Sequence, residues 1–435
     1  MKFFCLFSFV VVVSMALAMP TVGNVEVVQG ADRVVKVSYD LSGGPAIITF
    51  DVTTNGVSLG DRAFDRAWGA VNSLVTNETG RLTFMWLPEN EITADVIAGG
   101  ASVDIHAWSP DSPPDYIVFD MVAKNTINYY PSVGRLPGGI GSDAYRKEKL
   151  VMRKIPAAGV RWQMGSPDWQ KGRTATAASE TLRNVTLSED YYIAVFEFTQ
   201  GQYLNFYKSN ITGATLPDGS DAACNTSVDH DLCPISYITR ANLRGAAASG
   251  YAWPGDGHTV HTGFLIGKLR TWTGFDFDLP THAQWEYACR AGQSAALYTG
   301  HELHTNDDSD NAVDASLTNV AWYAKNQYLA QNKKAPVGLL APNAWGLYDT
   351  LGNVWEYALD RHSDATRPST DVTDPTGPSS GSNFKQAGSS YAQKLTYTRC
   401  AYSRGVGESS NGNDYGFRLC CPVNKTWKVP VVAAE

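Results

Sequence analysis

The sequence predicts a small all-β sandwich followed by a loop-rich α+β domain, and three observations carry that reading. From residue 20 to about 122, apolar and polar residues alternate in short runs, the pattern of strands buried on one face. The remainder is rich in Trp, Gly and Asn with few periodic segments, which points to loops over a small scaffold. Charged residues make up only 18% of the chain, below the roughly 25% of an average soluble domain, which excludes a coiled coil. At 435 residues there is room for two or three domains. A formal charge of −8 offers no basic stripe for phosphates, so nucleic acid is not an expected partner.

Residues 1–18 begin with Lys2, run apolar from Phe3 to Val13 and end in Ala16-Leu17-Ala18. This arrangement predicts a signal peptide cleaved near Ala18 and a periplasmic or extracellular protein. The apolar run is short of the roughly 20 residues that cross a bilayer, and no second run of that length follows, so no membrane span is expected. Six further cysteines remain, at 224, 233, 289, 400, 420 and 421. An oxidising compartment favours their pairing, and their spacing fits neither a zinc ribbon nor a redox CxxC. Cys224 and Cys233 are close enough in sequence to clip one loop.

Five alternating runs define the sandwich: Val35, Val37 and Tyr39; Ile48, Phe50 and Val52; Leu82, Phe84 and Trp86; Val103, Ile105 and Ala107; and Ile117, Phe119 and Met121. Breaks at Gly43-Gly44, Gly99-Gly100 and Pro110 to Pro114 separate them. Six or seven antiparallel strands over residues 19–122 are the expectation, in an immunoglobulin-like arrangement, with a short helix over 63–75 at its edge. No titratable residues cluster here, which favours a structural or adhesive role. Residues 123–140 read as a linker, 141–422 as the second domain and 423–435 as a tail.

One helix stands out in the second domain. In LPTHAQWEYACRAG, residues 279–292, Thr281 and Gln284 form a capping box and Gly292 supplies a left-handed stop. Trp285, Ala288 and Cys289 then share one buried face. This helix, PNAWGLYDTLGNVWEY at 342–357, DPTGP at 374–378 and Gly416-Phe417-Arg418 together resemble the sulfatase-modifying-factor family, whose founding members are the formylglycine-generating enzymes. Ile155-Pro156, Met164-Gly165-Ser166 and FEFTQGQYLNFY at 196–207 extend the resemblance over about 141–422. It implies a modified C-type-lectin-like fold with few regular elements, and a disulfide between the positions of Cys289 and Cys400. Cys224 with Cys233 is a second, local pairing. Cys420 and Cys421 point to opposite faces of any strand that holds them, and their partners stay unassigned.

The resemblance also implies structural calcium. In similar proteins, the loop matching Asp349–Glu356 binds calcium through its first and last side chains and the carbonyls matching Gly352 and Val354. The residues suit a hard cation that takes oxygen ligands, though Asp349 and Glu356 are also the types that cap turns. The acidic run from Asp307 to Asp314 lacks the pattern of a calcium loop and reads as solvated.

The family's enzymes oxidise a substrate cysteine with copper and oxygen, the copper held by two thiolates after a Gly-Gly-Ser-aromatic turn. Here the turn reads Gly388-Ser389-Ser390-Tyr391, Gln393 stands where the first copper cysteine belongs, and the shortened segment to Cys400 omits the second. An amide does not replace thiolate for Cu(I), so copper is not expected. Ala387 and Ser389 depart further from the family's arginine and glycine. Similar proteins use the same surface to bind ligands, and relatives diversified by retroelements vary the segment matching Gln386–Tyr415. The expected function is therefore an exported, non-catalytic module that binds a protein, peptide or glycan through a cleft of Trp355, Ser390, Tyr391, Gln393, Arg399, Arg404 and Asn413. Trp355 and Tyr391 are equally compatible with core packing. The alternative is an oxidoreductase acting on a protein or peptide by a cysteine-independent mechanism. His258 with His261 and His301 with His304 have a metal-ligand spacing, but their loop-like surroundings favour exposed histidines.

Overall fold

The computed structural model describes residues 19–423 apart from 55–56, 61–63, 65, 77–80, 89–100, 124–125, 174–177, 211–223, 225–226, 246–259, 308, 310–311, 327–331, 364 and 366. The expected signal peptide, His258 and the tail beyond 423 lie outside the described residues. The chain divides into two compact units, the first comprising residues up to Leu59 and Arg66–Pro110.

Eight strands build the first unit: β1 (Thr21–Gln29), β2 (Val35–Ser42), β3 (Ala46–Thr54), β4 (Val57–Ser58), β5 (Ala67–Gly69), β6 (Ser73–Val75), β7 (Arg81–Trp86) and β8 (Ala101–Trp108). They form two sheets, ordered β1-β2-β7-β5 and β4-β3-β6, with β8 also paired to β3. The period-two residues face the core: Val37, Tyr39, Ile48, Val52, Phe84 and Trp86 are fully buried. Phe50 of one sheet meets Phe84 and Trp86 of the other at centroid distances of 4.9 and 5.9 Å, so side chains from the two inner faces interdigitate. The helix expected over 63–75 is absent among the described residues there. Gly69 (φ 104°) and Asn72 (φ 51°) adopt left-handed backbone that interrupts any helical run, and Ala67–Gly69 pairs with β7 instead.

The second unit contributes β9 (Tyr116–Asp120), β10 (Ile127–Tyr130), α1 (Ala144–Lys147), β11 (Lys149–Ile155), β12 (Arg161–Met164), β13 (Arg183–Thr186), β14 (Tyr191–Ala194), α2 (Gln200–Asn210), α3 (Arg240–Arg244), α4 (Leu265–Thr273), α5 (His282–Arg290), β15 (Trp355–Arg361), β16 (Val372–Thr373), β17 (Asn383–Ala387), β18 (Ser403–Gly407), β19 (Tyr415–Gly416) and β20 (Cys420–Pro422). Its sheets run β10-β9-β11-β14-β20, β12-β13-β16 and β18-β17-β15-β19. The strand of Ile117 and Phe119 thus pairs with β11 rather than with the N-terminal strands, and part of the expected linker forms β10. The one-faced burial expected for this strand is not found, since Tyr116 and Val118 are buried as well as Ile117 and Phe119. Alternation specifies a buried face without naming the sheet that buries it, and Phe119 packs edge-on against Phe275 and Phe277 at 5.1 and 5.0 Å.

Helix α5 is capped as its sequence predicts, with Thr281 and Gln284 exchanging both capping-box hydrogen bonds. The chain leaves it through two left-handed residues, Ala291 and Gly292. Every residue of α5 is buried, so the expected apolar face is only part of what the core takes up. The polar sides are accommodated by partners: Trp285 donates its indole N–H to Glu356 at 2.7 Å, and Arg290 pairs with Glu286 at 2.8 Å. Buried bidentate pairs join other distant segments, Arg244 with Asp278 and Arg418 with Glu356. In a unit with little regular structure, such forks fix the loops in register.

Candidate functional site: an aromatic face around Arg404

The loop carrying the expected calcium ligands and the Gly388–Tyr391 turn are laced together. Gly352 N–H donates to the Gly388 carbonyl (2.6 Å), Tyr391 N–H to the Asn353 carbonyl (2.9 Å) and Trp355 N–H to the Asp414 carbonyl (2.7 Å). Asp349, Gly352 and Asn353 all have positive φ, which turns successive peptide groups out of any regular ladder. A side chain at Gly352 would collide with the Trp322 backbone, so close approach as well as φ requires glycine there.

From this floor, β15 and β18 present an aromatic face. The Arg404 guanidinium lies 4.2 Å from the Trp355 ring centroid and 4.7 Å from that of Tyr415, a cation–π sandwich. Its Nε and Nη2 donate to Gln386 Oε1 at 3.1 and 2.9 Å. Tyr402 stacks on Tyr397 at 4.5 Å and lies 6.0 Å from Trp355. Arg404, Tyr397, Tyr402 and Tyr415 are half-buried, so each offers an edge to solvent, and Gln393 and Asn413 at the same turns are half-buried and exposed.

The seven residues expected in the cleft therefore separate. Arg404, Gln393 and Asn413 remain accessible. Trp355, Ser390, Tyr391 and Arg399 are fully buried and support the surface from beneath. Ser390 Oγ donates to Asp414 at 2.6 Å, and Arg399 grips Glu180 at 2.7 and 3.0 Å. The core reading holds for Trp355 and Tyr391, whose indole N–H and hydroxyl are buried without a hydrogen-bond partner. Sequence reasoning missed Tyr397, Tyr402, Tyr415 and Gln386. The available signal was the density of tyrosine between 391 and 415, combined with the alternation that β17 and β18 impose.

Asp349 Oδ2 accepts from Gly338 N–H at 2.6 Å, while its buried Oδ1 has no partner. Glu356 Oε2 takes the Trp285 and Arg418 Nε hydrogens, and Oε1 takes only Arg418 Nη2, leaving a lone pair there. Glu197 accepts from Asn353 and Val354. Burial, reinforced by Asp349 and Glu356, pushes its carboxyl well above the usual range. Burial likewise raises Asp349 to about 6. Arg418 is the cation whose charge reaches all three carboxylates, of which it hydrogen-bonds Glu356 alone, and Asp349 Oδ1 stays without a partner. That donor set suits a hard cation completed by backbone carbonyls. Among the described residues no three His, Cys, Asp or Glu side chains group as a metal cage.

All six described cysteines are buried thiols. Cys289 and Cys400 touch, sulfur to sulfur, at 3.5 Å, wider than the roughly 2.05 Å of a disulfide. Cys224 and Cys233 share a hydrogen bond. In β20, Cys421 lies opposite Tyr192 and Cys420 opposite Ile193, hence on opposite faces. Asp314 departs from the expected solvated loop. Its carboxylate is buried; burial alone would raise its pKa, but hydrogen bonds from Ser316 and His304 outweigh that and hold it at about 2. His304 is thereby tied to Asp314 at 2.8 Å.

The loop-rich second unit, held by buried arginine forks beneath a half-exposed aromatic face, defines a modified C-type-lectin-like protein. The chain belongs to the family of the sulfatase-modifying factor enzyme 1-like domain, whose family model matches residues 156–422. It is 32% identical over 153 residues to the formylglycine-generating enzyme of Mus musculus, covering 34% of this chain and 39% of that protein. Against the Streptomyces coelicolor enzyme the identity is 35% over 146 residues, 32% and 45% of the two chains. It is 27% identical over 205 residues to the chaperone protein LppX of Paenibacillus barcinonensis, 44% and 69% of each. The chain spans less than half the length of the formylglycine-generating enzymes it matches. Among solved structures, Treponema denticola variable protein 1 matches with 22% identity and a TM-score of 0.46, over 67% of this chain and 97% of that one. PvdO from Pseudomonas aeruginosa matches with 21% identity and a TM-score of 0.45, over 63% and 94%. Among the described residues no helix is long and apolar enough to cross a membrane.

Proposed function

We propose that this chain is an exported, non-catalytic binding module that takes a protein, peptide or glycan ligand on the face formed by Tyr397, Tyr402, Arg404 and Tyr415. The supporting observation is that face itself: a guanidinium held between two rings beside a stacked tyrosine pair. Tyrosine and arginine with solvent-facing edges suit recognition, since they offer large rigid contact area with polar tips. Gln393, at the family's copper position, has no thiolate to offer. Cys400 is buried against Cys289. Calcium, on this proposal, is structural: Asp349 Oδ1, Glu356 Oε1 and the carbonyls of Gly352 and Val354 would hold it and neutralise the buried carboxylates. Export follows cleavage near Ala18.

Glycan and peptide arrays probed with the wild type and with Tyr402→Ala and Arg404→Ala test the reading. Discrete ligands that the wild type retains and both folded variants lose are expected. Retention of every ligand by both variants would remove the face from function. The second reading, a cysteine-independent oxidoreductase acting on a protein or peptide, rests on the identity to formylglycine-generating enzymes. Oxygen uptake with aldehyde formation on a cysteine peptide would establish it and overturn the binding-only role.

A further inference from the structure

A second site lies on the opposite side of β17. Lys385, adjacent to Gln386 and so facing away from Arg404, lines a cavity of about 520 Å³. Its walls come from β12 and β13 (Met164, Arg183), the start of α5 (His282, Ala283), the end of β15 (Asp360), and the segment through Arg367 and Val372 to Pro378.

Three cations line this space, and among the described residues none has an ion-pair partner. Lys385 Nζ donates to Ser403 Oγ at 2.9 Å. Arg367 donates to the Thr181 carbonyl at 3.1 and 2.7 Å. Arg183 reaches only Met164 sulfur, at 3.9 Å, and its buried Nε has no hydrogen-bond partner. Two carboxylates also line the cavity, but each is turned to backbone: Asp360 accepts His282 N–H at 2.6 Å, and Asp374 accepts Ser188 N–H at 2.9 Å. His282 is 1% exposed, and neither ring nitrogen has a hydrogen-bond partner. Lys385 is the buried member of the three and has no acid at ion-pair distance among the described residues, and a buried imidazole without hydrogen bonds carries its own desolvation cost. Burial, followed by the charges of Lys385, Arg367 and Arg183, holds the imidazole well below its ordinary pKa. It therefore enters the site neutral, with one N–H to donate. Burial likewise pushes Lys385 down to about 8. The charges that bear on Lys385 are Arg367 and Arg183 against Asp360 and Glu286, and among the described residues no acid forms an ion pair with any of the three cations.

We infer that this cavity binds a metabolite-sized organic oxyanion, a carboxylate or phosphate ester. Its anionic head meets Arg183, Arg367 and Lys385, and its apolar body lies along Met164, Ala283 and Val372. The volume falls in the range of small-ligand pockets, and planar guanidinium forks match both kinds of head. An oxyanion supplies the acceptors that Arg183 Nε and a His282 N–H lack. The first turn of α5 borders the space; its His282 and Gln284 N–H groups are taken by Asp360 and Thr281, so its contribution is the positive end of the helix dipole.

Isothermal titration of the full chain at constant ionic strength tests this, with phenyl phosphate and phenylacetate as probes and benzyl alcohol as the uncharged counterpart. Saturable binding of at least one anion with a Kd of about 1 mM or tighter is expected, with no binding of the alcohol. The imidazole 15N signals of His282 should shift on titration. Lys385→Met and Arg367→Gln should each weaken binding by about tenfold or more, the loss of one charge-assisted contact. Should Lys385→Met not fold, the half-buried Arg367→Gln decides. Absence of saturable anion binding, equal binding of the alcohol, or unchanged affinity in a folded variant would overturn the inference.

Discussion

Arg399 and Glu180, 219 positions apart, close a bidentate ion pair at 2.7 and 3.0 Å with both side chains buried. Ser166 Oγ donates to the same carboxylate at 2.6 Å, and Arg399 also donates to the Thr396 carbonyl. The pair fastens the segment below the aromatic face to the start of the domain. It holds structure rather than ligand. Arg399→Ala should therefore destabilise by about 3–5 kcal/mol by leaving Glu180 buried and unpaired. The double variant Arg399→Met with Glu180→Met should recover much of the loss. Urea midpoints of the two settle the matter; a neutral single variant would contradict the pair's role.

Asp349 predicts a pH dependence. Its folded pKa is about 6 against an ordinary 3.8, so the folded chain binds the proton more tightly than the unfolded chain. The contribution to stability is full below about pH 4 and is lost as pH rises through 6. Asp349→Asn should accordingly be more stable than the wild type at pH 7, by about 1–3 kcal/mol, and equal to it near pH 4. Added calcium chloride should raise the melting temperature of the wild type at pH 7 and leave Asp349→Asn unchanged. No calcium effect on the wild type would end the calcium proposal.

Gly352→Ala should be among the most damaging single substitutions. The added carbon meets the Trp322 backbone, and φ is 87°. A loss of about 3 kcal/mol or more is expected, read as a fall in denaturation midpoint together with a weaker response to calcium.

Cys289 and Cys400 make contact 111 positions apart. Protein exported into an oxidising medium should have lost both thiols on titration with a maleimide, and peptide mapping should return the pair linked. Reduction, or Cys400→Ser, should then lower stability by about 4 to 5 kcal/mol on the chain-entropy description. Two alkylated thiols in natively folded secreted protein would show that the bond does not form.

Local chemistry explains what was legible in advance. The capping box of α5 is encoded within a few residues and forms as expected, and one-faced burial holds for β7, whereas β3 and β9 are buried on both faces, with Thr49 and Val118 also covered. The membership of β9 was not legible, because its alternation is satisfied by any sheet with an apolar cover. The cleft was half legible. Arg404, Gln393 and Asn413 keep access to solvent, whereas Arg399 was misread because its partner Glu180 lies more than two hundred positions upstream. The oxyanion cavity was marked locally only on its walls, where DPTGP and the start of the 279–292 helix line it; its charged groups, Arg183, Arg367 and Lys385, come from separate segments. Only the third dimension gathers unpaired cations from such distances.

The alternation of β17 has a consequence for how this chain can change over time. Gln386 serves the aromatic face and Lys385 the cavity. Inserting or deleting one residue in this strand would exchange the two faces and abolish both sites at once. Indels within Asn383–Ala387 should therefore be disfavoured, with length variation falling in the turns on either side. A deep survey of natural variants should find gaps clustered in those turns and the strand itself of constant length, whatever ligand each variant has come to hold.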